Sequence, residues 1–371
     1  MRLIIIVILN LYASIACLSQ THLFTADTVW IHKANPDDED LSSYFPLVTC
    51  NVKPAAAESI NKTLQMEELG FILNEKGKIQ LKHQPEAINE RLNLVYTMTY
   101  PTNRLLTVDV GHFERTSSMA LAGNYIYHRY YFDALTGDPV STRSFFTEEG
   151  FSQLNAKIVP LLRQSFVQTM KKYEEDFTAD KEKDLDTDCG CQCTDQIDHS
   201  FCSGRGMIDG FSAGDPLTYS INSCQWTNPG NPNDFYRAVI PAAHVKSYLS
   251  DYGKYTFTQG PPVMNNFISN NFLDKIWKGT IGDKILITFL IKRTCTPAAI
   301  KGLEVYDNYG TCISLQGTYK NQLLIIHELS PEGKTLATIE ATLQSGKFSG
   351  QWTKSDGSKT LTFAASPLNP F

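Results

Sequence analysis

At 371 residues the chain has room for two domains, or three small ones, each with its own core. Its 33 basic and 39 acidic side chains are spread widely and leave a formal charge of -6, so no basic stripe offers a footprint for a nucleic acid. An acidic surface suits a basic partner, but the same mild acidity is an ordinary condition of solubility and singles out no ligand.

Residues 1–16, MRLIIIVILNLYASIA, place one basic residue before a short apolar run and end on small residues, with Ser14 and Ala16 where a signal peptidase reads. The run is too short to span a bilayer, and no later segment approaches the ~20 apolar residues of a membrane helix, so the chain is expected to be exported. Cys17 follows Ala16 directly, as in a bacterial lipobox, although Ser14 stands where such signals usually carry Leu. Acylation of Cys17 would be the chain's one tie to a membrane; a lipoprotein of the cell envelope and a free secreted or periplasmic protein both fit. Setting Cys17 aside leaves eight cysteines, Cys50, Cys189, Cys191, Cys193, Cys202, Cys224, Cys295 and Cys312. An even number in an exported chain reads first as disulfides.

In chain order, a strand is expected over 28–33, followed by the acidic loop NPDDEDLSS and an apolar return at 44–48. A helix begins after Pro54, with Ala57, Ile60, Leu64 and Met66 on one face. Asn61-Lys62-Thr63 within it matches the N-glycosylation sequon, a pattern common by chance. Strands over 92–99 and 105–113 are separated by the turn Pro101-Thr102-Asn103. Residues 125–166 are the stretch around which the rest is organised. Tyr125, Tyr127, Arg129 and Tyr131 alternate with Ile126, His128, Tyr130 and Phe132, a period of two that suits a strand, and Asp133 to Gly137 supply a turn with Gly137 at a positive φ. Thr147 then caps a helix whose apolar residues Phe151, Leu154, Ile158, Leu162 and Phe166 recur at helical spacing; Pro160 predicts a kink or two short helices. Three strands followed by helices indicate an α+β layer, an antiparallel sheet packed with helices.

The order YFPLVTCNVKPAAAESINKTL, VYTMTYPTNRLLTVDVGHFE, YYFDALTGDPVSTRSFFTEEGFSQLNAKI and FYRAVIPAAHVKSYLSDYG resembles the extracellular region shared by the anti-sigma factor RsiV and the peptidoglycan deacetylase PdaC. The most specific piece is Phe132-Asp133-x-x-Thr136-Gly137 followed by Phe145-Phe146, and next Ile240-Pro241 with Tyr248-Leu249; the resemblance covers residues 28–255. It implies structural motifs rather than catalytic ones, and it supplies no ligand residue. The RsiV branch implies a receptor for lysozyme. The PdaC branch carries a separate deacetylase domain, for which this chain has no room.

Residues 178–216 read as a cysteine-rich insertion in a region that runs from 21 to 257. Strand-like composition returns at 217–220 and 235–240, with a short helix over 241–249, and TQGPPVMNNFISNN at 258–271 marks a linker across which relative motion is the default. From 272 to 366, seven or eight short strands at regular spacing predict a small all-β meander closed into a barrel or sandwich, since an open edge invites aggregation.

Several constellations could carry chemistry. Gly210-Phe211-Ser212-Ala213-Gly214 matches a nucleophile elbow but lacks the strand before and the helix after that would strain the turn. Cys189, Cys191, Cys193, His199 and Cys202 could hold zinc, yet their gaps and an oxidising compartment favour disulfides. Asp184, Asp186, Asp188 and Asp195 are weak candidates for a calcium loop, because Gly190 falls one place late and the last ligand is not Glu. His112 and His128 fall on neighbouring strands, where packing histidines are commoner than ligands. Cys295 and Cys312 are paired by elimination within the β domain, provided the 296–301 loop folds back to bring them within reach. The expectation is thus an exported binding or sensor protein without a cofactor. Its ligand would come from the envelope, a lysozyme-like protein or a peptidoglycan fragment. An extracellular hydrolase of cell-wall material, using Ser212 or a carboxylate and histidine pair in the insertion, is the alternative.

Overall fold

The computed structural model describes residues 23–31, 43–73, 91–115, 123–173, 207–209, 216–221, 236–257, 272–294, 296, 298–307, 310 and 312–368. Strands β1 (Thr25–Ile31) and β2 (Ser43–Thr49) pair antiparallel, and helix α1 (Pro54–Leu64) runs into a π-helical turn at Gln65–Leu69. Strands β3 (Arg91–Thr102), β4 (Leu105–Arg115) and β5 (Gly123–Asp133) form an antiparallel sheet in the order β3-β4-β5. After helix α2 (Glu148–Tyr173) come β6 (Met207–Asp209), β7 (Leu217–Ile221) and β8 (Tyr236–Ile240), paired in sequence, and the short helices α3 (Ala242–Val245) and α4 (Asp251–Phe257).

Alternation along β4 and β5 sends side chains into two different cores. Leu106, Val108, Val110 and Phe132 pack with Phe24, Phe45, Ile60 and Leu64 of the β1–β2 hairpin and α1. Leu105 and Tyr131 point the other way, into a core with Leu154, Ile158, Leu162 and Phe166 of α2 and Ile208, Tyr219 and Ile240 of β6–β8. Each such side chain, removed from water, contributes roughly 1.5–3 kcal/mol, so the sheet is held from both sides. The Thr147 hydroxyl accepts from the Gly150 N–H at 2.9 Å, as a cap should. Of the two alternatives at Pro160, two short helices do not form: α2 continues through it as one helix of 26 residues. Pro160 and Ala156, whose carbonyl loses its partner, both lie on the exposed face, where solvent can bond the freed oxygen and the ring meets no packed neighbour.

The turn after β5 is a hub. Asp133 Oδ1 accepts from the Leu135 and Thr136 N–H groups at 2.9 Å each, and Tyr252 donates to Oδ2 at 3.2 Å. Gly137 has φ +70, and a Cβ there would lie 2.4 Å from the Ala56 carbonyl oxygen, so only glycine lets α1 approach.

The second region is an eight-stranded antiparallel β-barrel: β9 (Lys275–Ile281), β10 (Ile285–Arg293), β11 (Ala299–Tyr306), β12 (Cys312–Lys320), β13 (Leu323–Leu329), β14 (Thr335–Gln344), β15 (Lys347–Lys354) and β16 (Thr360–Pro367), closed by β16 on β9. Every second residue points inward. Trp277, Phe289, Phe348 and Phe363 fill the interior, with Trp277 and Phe348 ring centroids 4.6 Å apart. A meander of even strand count can close on itself and leave no edge, which is why the barrel and not an open sheet results.

The two regions meet along the outside of β9–β11. Met66 packs with Ile276, Leu290 and Val305, and the Cys312 N–H donates to the Gly70 carbonyl at 2.8 Å. Lys275 Nζ lies 3.3 Å from Asp138 Oδ2 with both side chains under a tenth exposed, and Lys292 pairs with Glu67 at 2.6 Å.

The disulfide expectation is corrected. Cys50 and Cys312 are the cysteines among the described residues, and both are free thiols. Cys50 packs with Ala56 and Ala57 in the first core, and Cys312 lies against Met66, so each is used as a small apolar side chain. Burial pushes the Cys312 thiol up to about 12, with the Glu67 charge adding to it. The pairing of Cys295 with Cys312 therefore does not form.

Candidate functional site

A cleft of about 130 Å³ opens where β5 and the 139–143 segment face the β10–β11 hairpin. Its lining holds five cationic side chains, Arg129, Arg143, Lys292, Arg293 and Lys301, and one acidic side chain, Asp274. The alternation of β5 that buries Tyr131 brings Arg129 to this rim, where Asp109 grips its guanidinium at 2.6 and 2.8 Å and the Ile208 carbonyl takes a third bond at 3.2 Å. Arg143 donates to the Thr294 carbonyl across the junction at 3.1 Å and pairs with Glu148. Lys292 and Lys301 stand directly opposite each other on β10 and β11. Like charges so placed are unfavourable by themselves, and Glu67 relieves Lys292. Asp109, Glu148 and Glu67, which pair with Arg129, Arg143 and Lys292, lie outside the lining, so the charged groups facing the cleft are mostly cationic while much of their charge is offset from behind.

Asp274 is the exception on that wall. It precedes β9 in a left-handed conformation, φ 63, fixed by its N–H donating to the Ile291 carbonyl at 2.6 Å. Oδ1 accepts from the Arg293 N–H at 3.4 Å, while Oδ2 is buried and has no hydrogen-bond partner. Burial raises its carboxyl above the ordinary range, against the opposing pull of Arg293, Lys292 and the Ser141 hydroxyl.

Two further polar clusters are enclosed. Inside one end of the barrel, Glu304 and Glu328 face each other; the Tyr306 hydroxyl donates to Glu328 at 3.0 and 3.1 Å and the Trp352 indole N–H at 2.5 Å. Glu304 is fully buried, and burial with the neighbouring Glu328 charge holds it well above the carboxylate range, so it is the neutral acid and Glu328 the acceptor. Glycoside cleavage needs two carboxyls about 5 Å or more apart with the sugar between them, and no sugar can enter beside a fully buried Glu304. In the first core, buried Glu68 accepts from Tyr130 and lies 2.7 Å from His128 Nδ1, so His128 is a packing residue anchored on the π-helical turn.

Cys17, Asp184, Asp186, Asp188, Asp195, Cys189, Cys191, Cys193, His199, Cys202, Ser212, Cys224 and Cys295 lie outside the described residues. His112 and His128 are two residues out of register on β4 and β5, with Val110 opposite His128 and Ile126 opposite His112. The sequon residue Asn61 bonds the Val48 N–H and carbonyl at 2.8 Å each, which ties α1 to β2. The cleft residues went unremarked, although Lys292-Arg293 at the end of the apolar run ILITFLI is a visible break. Glu304 and Glu328 likewise occupy inward positions of alternating strands, where a carboxyl is out of place. Compared with known proteins, the chain matches no family model and no curated protein.

Proposed function

We propose that the chain is an exported binding or sensor protein of the cell envelope whose ligand enters the cleft between the α+β region and the barrel. The observation that carries this reading is the wall of five cations around a cavity of about 130 Å³. Of the two envelope ligands the sequence suggests, a basic lysozyme-like protein would meet repulsion here, whereas a peptidoglycan fragment brings carboxylates. Charge-assisted bonds from Arg and Lys are the strong, orienting kind such a group would use. The export signal and the resemblance to an envelope-exposed region support the same setting.

The test is calorimetric titration of the full chain with soluble peptidoglycan fragments that retain free carboxylates. Lys301 is exposed, so Lys301→Gln leaves the fold intact. The variant should weaken binding about tenfold, as loss of one charged hydrogen bond does. Absence of binding, or equal binding by Lys301→Gln and Arg293→Gln, removes the cleft as the site.

A further inference from the structure

We infer that the buried pair Glu304 and Glu328 is a pH-sensitive latch on the junction: when Glu304 loses its proton, the 304–312 stretch of the barrel lifts from the π-helical turn of the α+β region. The inference goes beyond ligand binding in the cleft and does not depend on it.

Three adjacent residues on β11 join the acid pair to the junction. Glu304 and Tyr306 point into the barrel, where the Tyr306 hydroxyl donates to Glu328 at 3.0 and 3.1 Å and both carboxyls are buried. Val305 between them points outward and packs on Met66 of the π-helical turn. Just past Tyr306 the backbone itself docks. The Gly310 N–H donates to the Tyr306 carbonyl at 3.0 Å, the Gly310 carbonyl accepts from the Ile72 N–H at 3.1 Å, and the Cys312 N–H donates to the Gly70 carbonyl at 2.8 Å. A pleated strand carries its two faces together, so a shift of β11 that admits water to Glu304 also draws Val305 off Met66 and pulls on these bonds.

Among the described residues, the titratable groups facing Glu304 are Glu328 on β13 and Tyr306 on β11 itself. Its cross-strand neighbours, Phe289 on β10 and Ile313 on β12, are apolar, and β9, β14 and β16 bring Trp277, Ile339 and Phe363 to the same interior. Asp307 turns to the other face, where the Thr288 hydroxyl donates to it at 2.9 Å. An ionised Glu304 would thus meet a second carboxyl in an apolar interior, which is why burial and the Glu328 charge hold its proton well above the carboxylate range. With the latch closed Glu304 keeps its proton; open and hydrated, it ionises near 4.5. Above that value each pH unit favours the open form about tenfold, until the closed form ionises as well.

The experiment is amide hydrogen exchange by NMR on the full chain, parent and Glu304→Gln, from pH 5 to 8, with each rate corrected for the intrinsic effect of pH. The amides of Ile72 and Cys312 report on the junction, and that of Ala341 on β14 reports on unfolding of the whole barrel. In the parent, protection of Ile72 and Cys312 should fall at least about tenfold between pH 5 and pH 7, and in Glu304→Gln less than about threefold. Both amides should also exchange at least about tenfold faster than Ala341 and respond little to low urea, as a local opening does. Level protection in the parent overturns the latch with no variant needed. An equal fall in Glu304→Gln assigns the opening to another group and overturns it too. Junction amides that match Ala341 in both rate and urea response would show that Glu304 sets only the stability of the barrel, and the latch falls.

Discussion

Replacing Glu304 by Gln tests the account of the barrel end, because it removes a titrating group without changing its shape. Glu304 is fully buried, and its proton is held by burial and by the Glu328 charge. In the unfolded chain the group ionises near the ordinary value of 4.5, and in the folded barrel only well above it. Below 4.5 both states hold the proton and its contribution to stability is complete. Between that value and the raised one the unfolded state alone has lost the proton, so stability falls by about 1.4 kcal/mol for each pH unit. Glu328 is raised in the same direction by burial and adds to the decline. Gln can still donate to Glu328, so Glu304→Gln should match the parent at low pH and exceed it as pH rises. The assay is urea unfolding at intervals from pH 4.5 to 8, followed by tryptophan fluorescence, with Trp277 in the core and Trp352 bonded to Glu328 as reporters. A stability difference between parent and variant that stays level across this range would refute the assignment of a protonated Glu304.

The junction supplies a second test: Lys275→Met removes the cation 3.3 Å from buried Asp138, so unfolding should lose about 3–5 kcal/mol, and adding Asp138→Leu should return most of it. Glycine conformation gives a third. Gly70 and Gly137 both have φ +70, but a Cβ at Gly70 meets nothing within 4 Å, so Gly70→Ala should cost roughly 1–2 kcal/mol by urea titration and Gly137→Ala clearly more. Equal costs would show that α1 does not press on the turn. The cysteine correction is checked by alkylating the unfolded chain without reductant and mapping peptides: Cys50 and Cys312 should both be labelled. In the native chain Cys312, with its thiol pushed up to about 12, should stay unlabelled at pH 8.

What the sequence makes legible is whatever a local period writes. The two-residue alternation of β5, the helical spacing of α2 and the even turn spacing of the barrel each appear in adjacent residues, so strands, helix and meander were all expected where they occur. Which core each face of β5 enters is not local, since Phe132 meets α1 and Tyr131 meets α2. Pro160 left a kink or two helices open because its effect depends on whether the broken bond faces protein or solvent. Cysteine parity misled because a count carries no positions: Cys312 faces Met66, 246 residues away along the chain, and the barrel uses it as packing.

The cleft is the extreme case, because its parts acquire meaning only together. Arg143 reaches the Thr294 carbonyl 151 residues on, and Lys292 reaches back to Glu67, so no window of sequence contains the wall. One local sign does survive. A charge at an inward or strand-end position of an otherwise apolar run must be answered by a distant partner or by a ligand, since burial without an answer is too costly. Lys275 is answered by Asp138 and Glu328 by Tyr306 and Trp352.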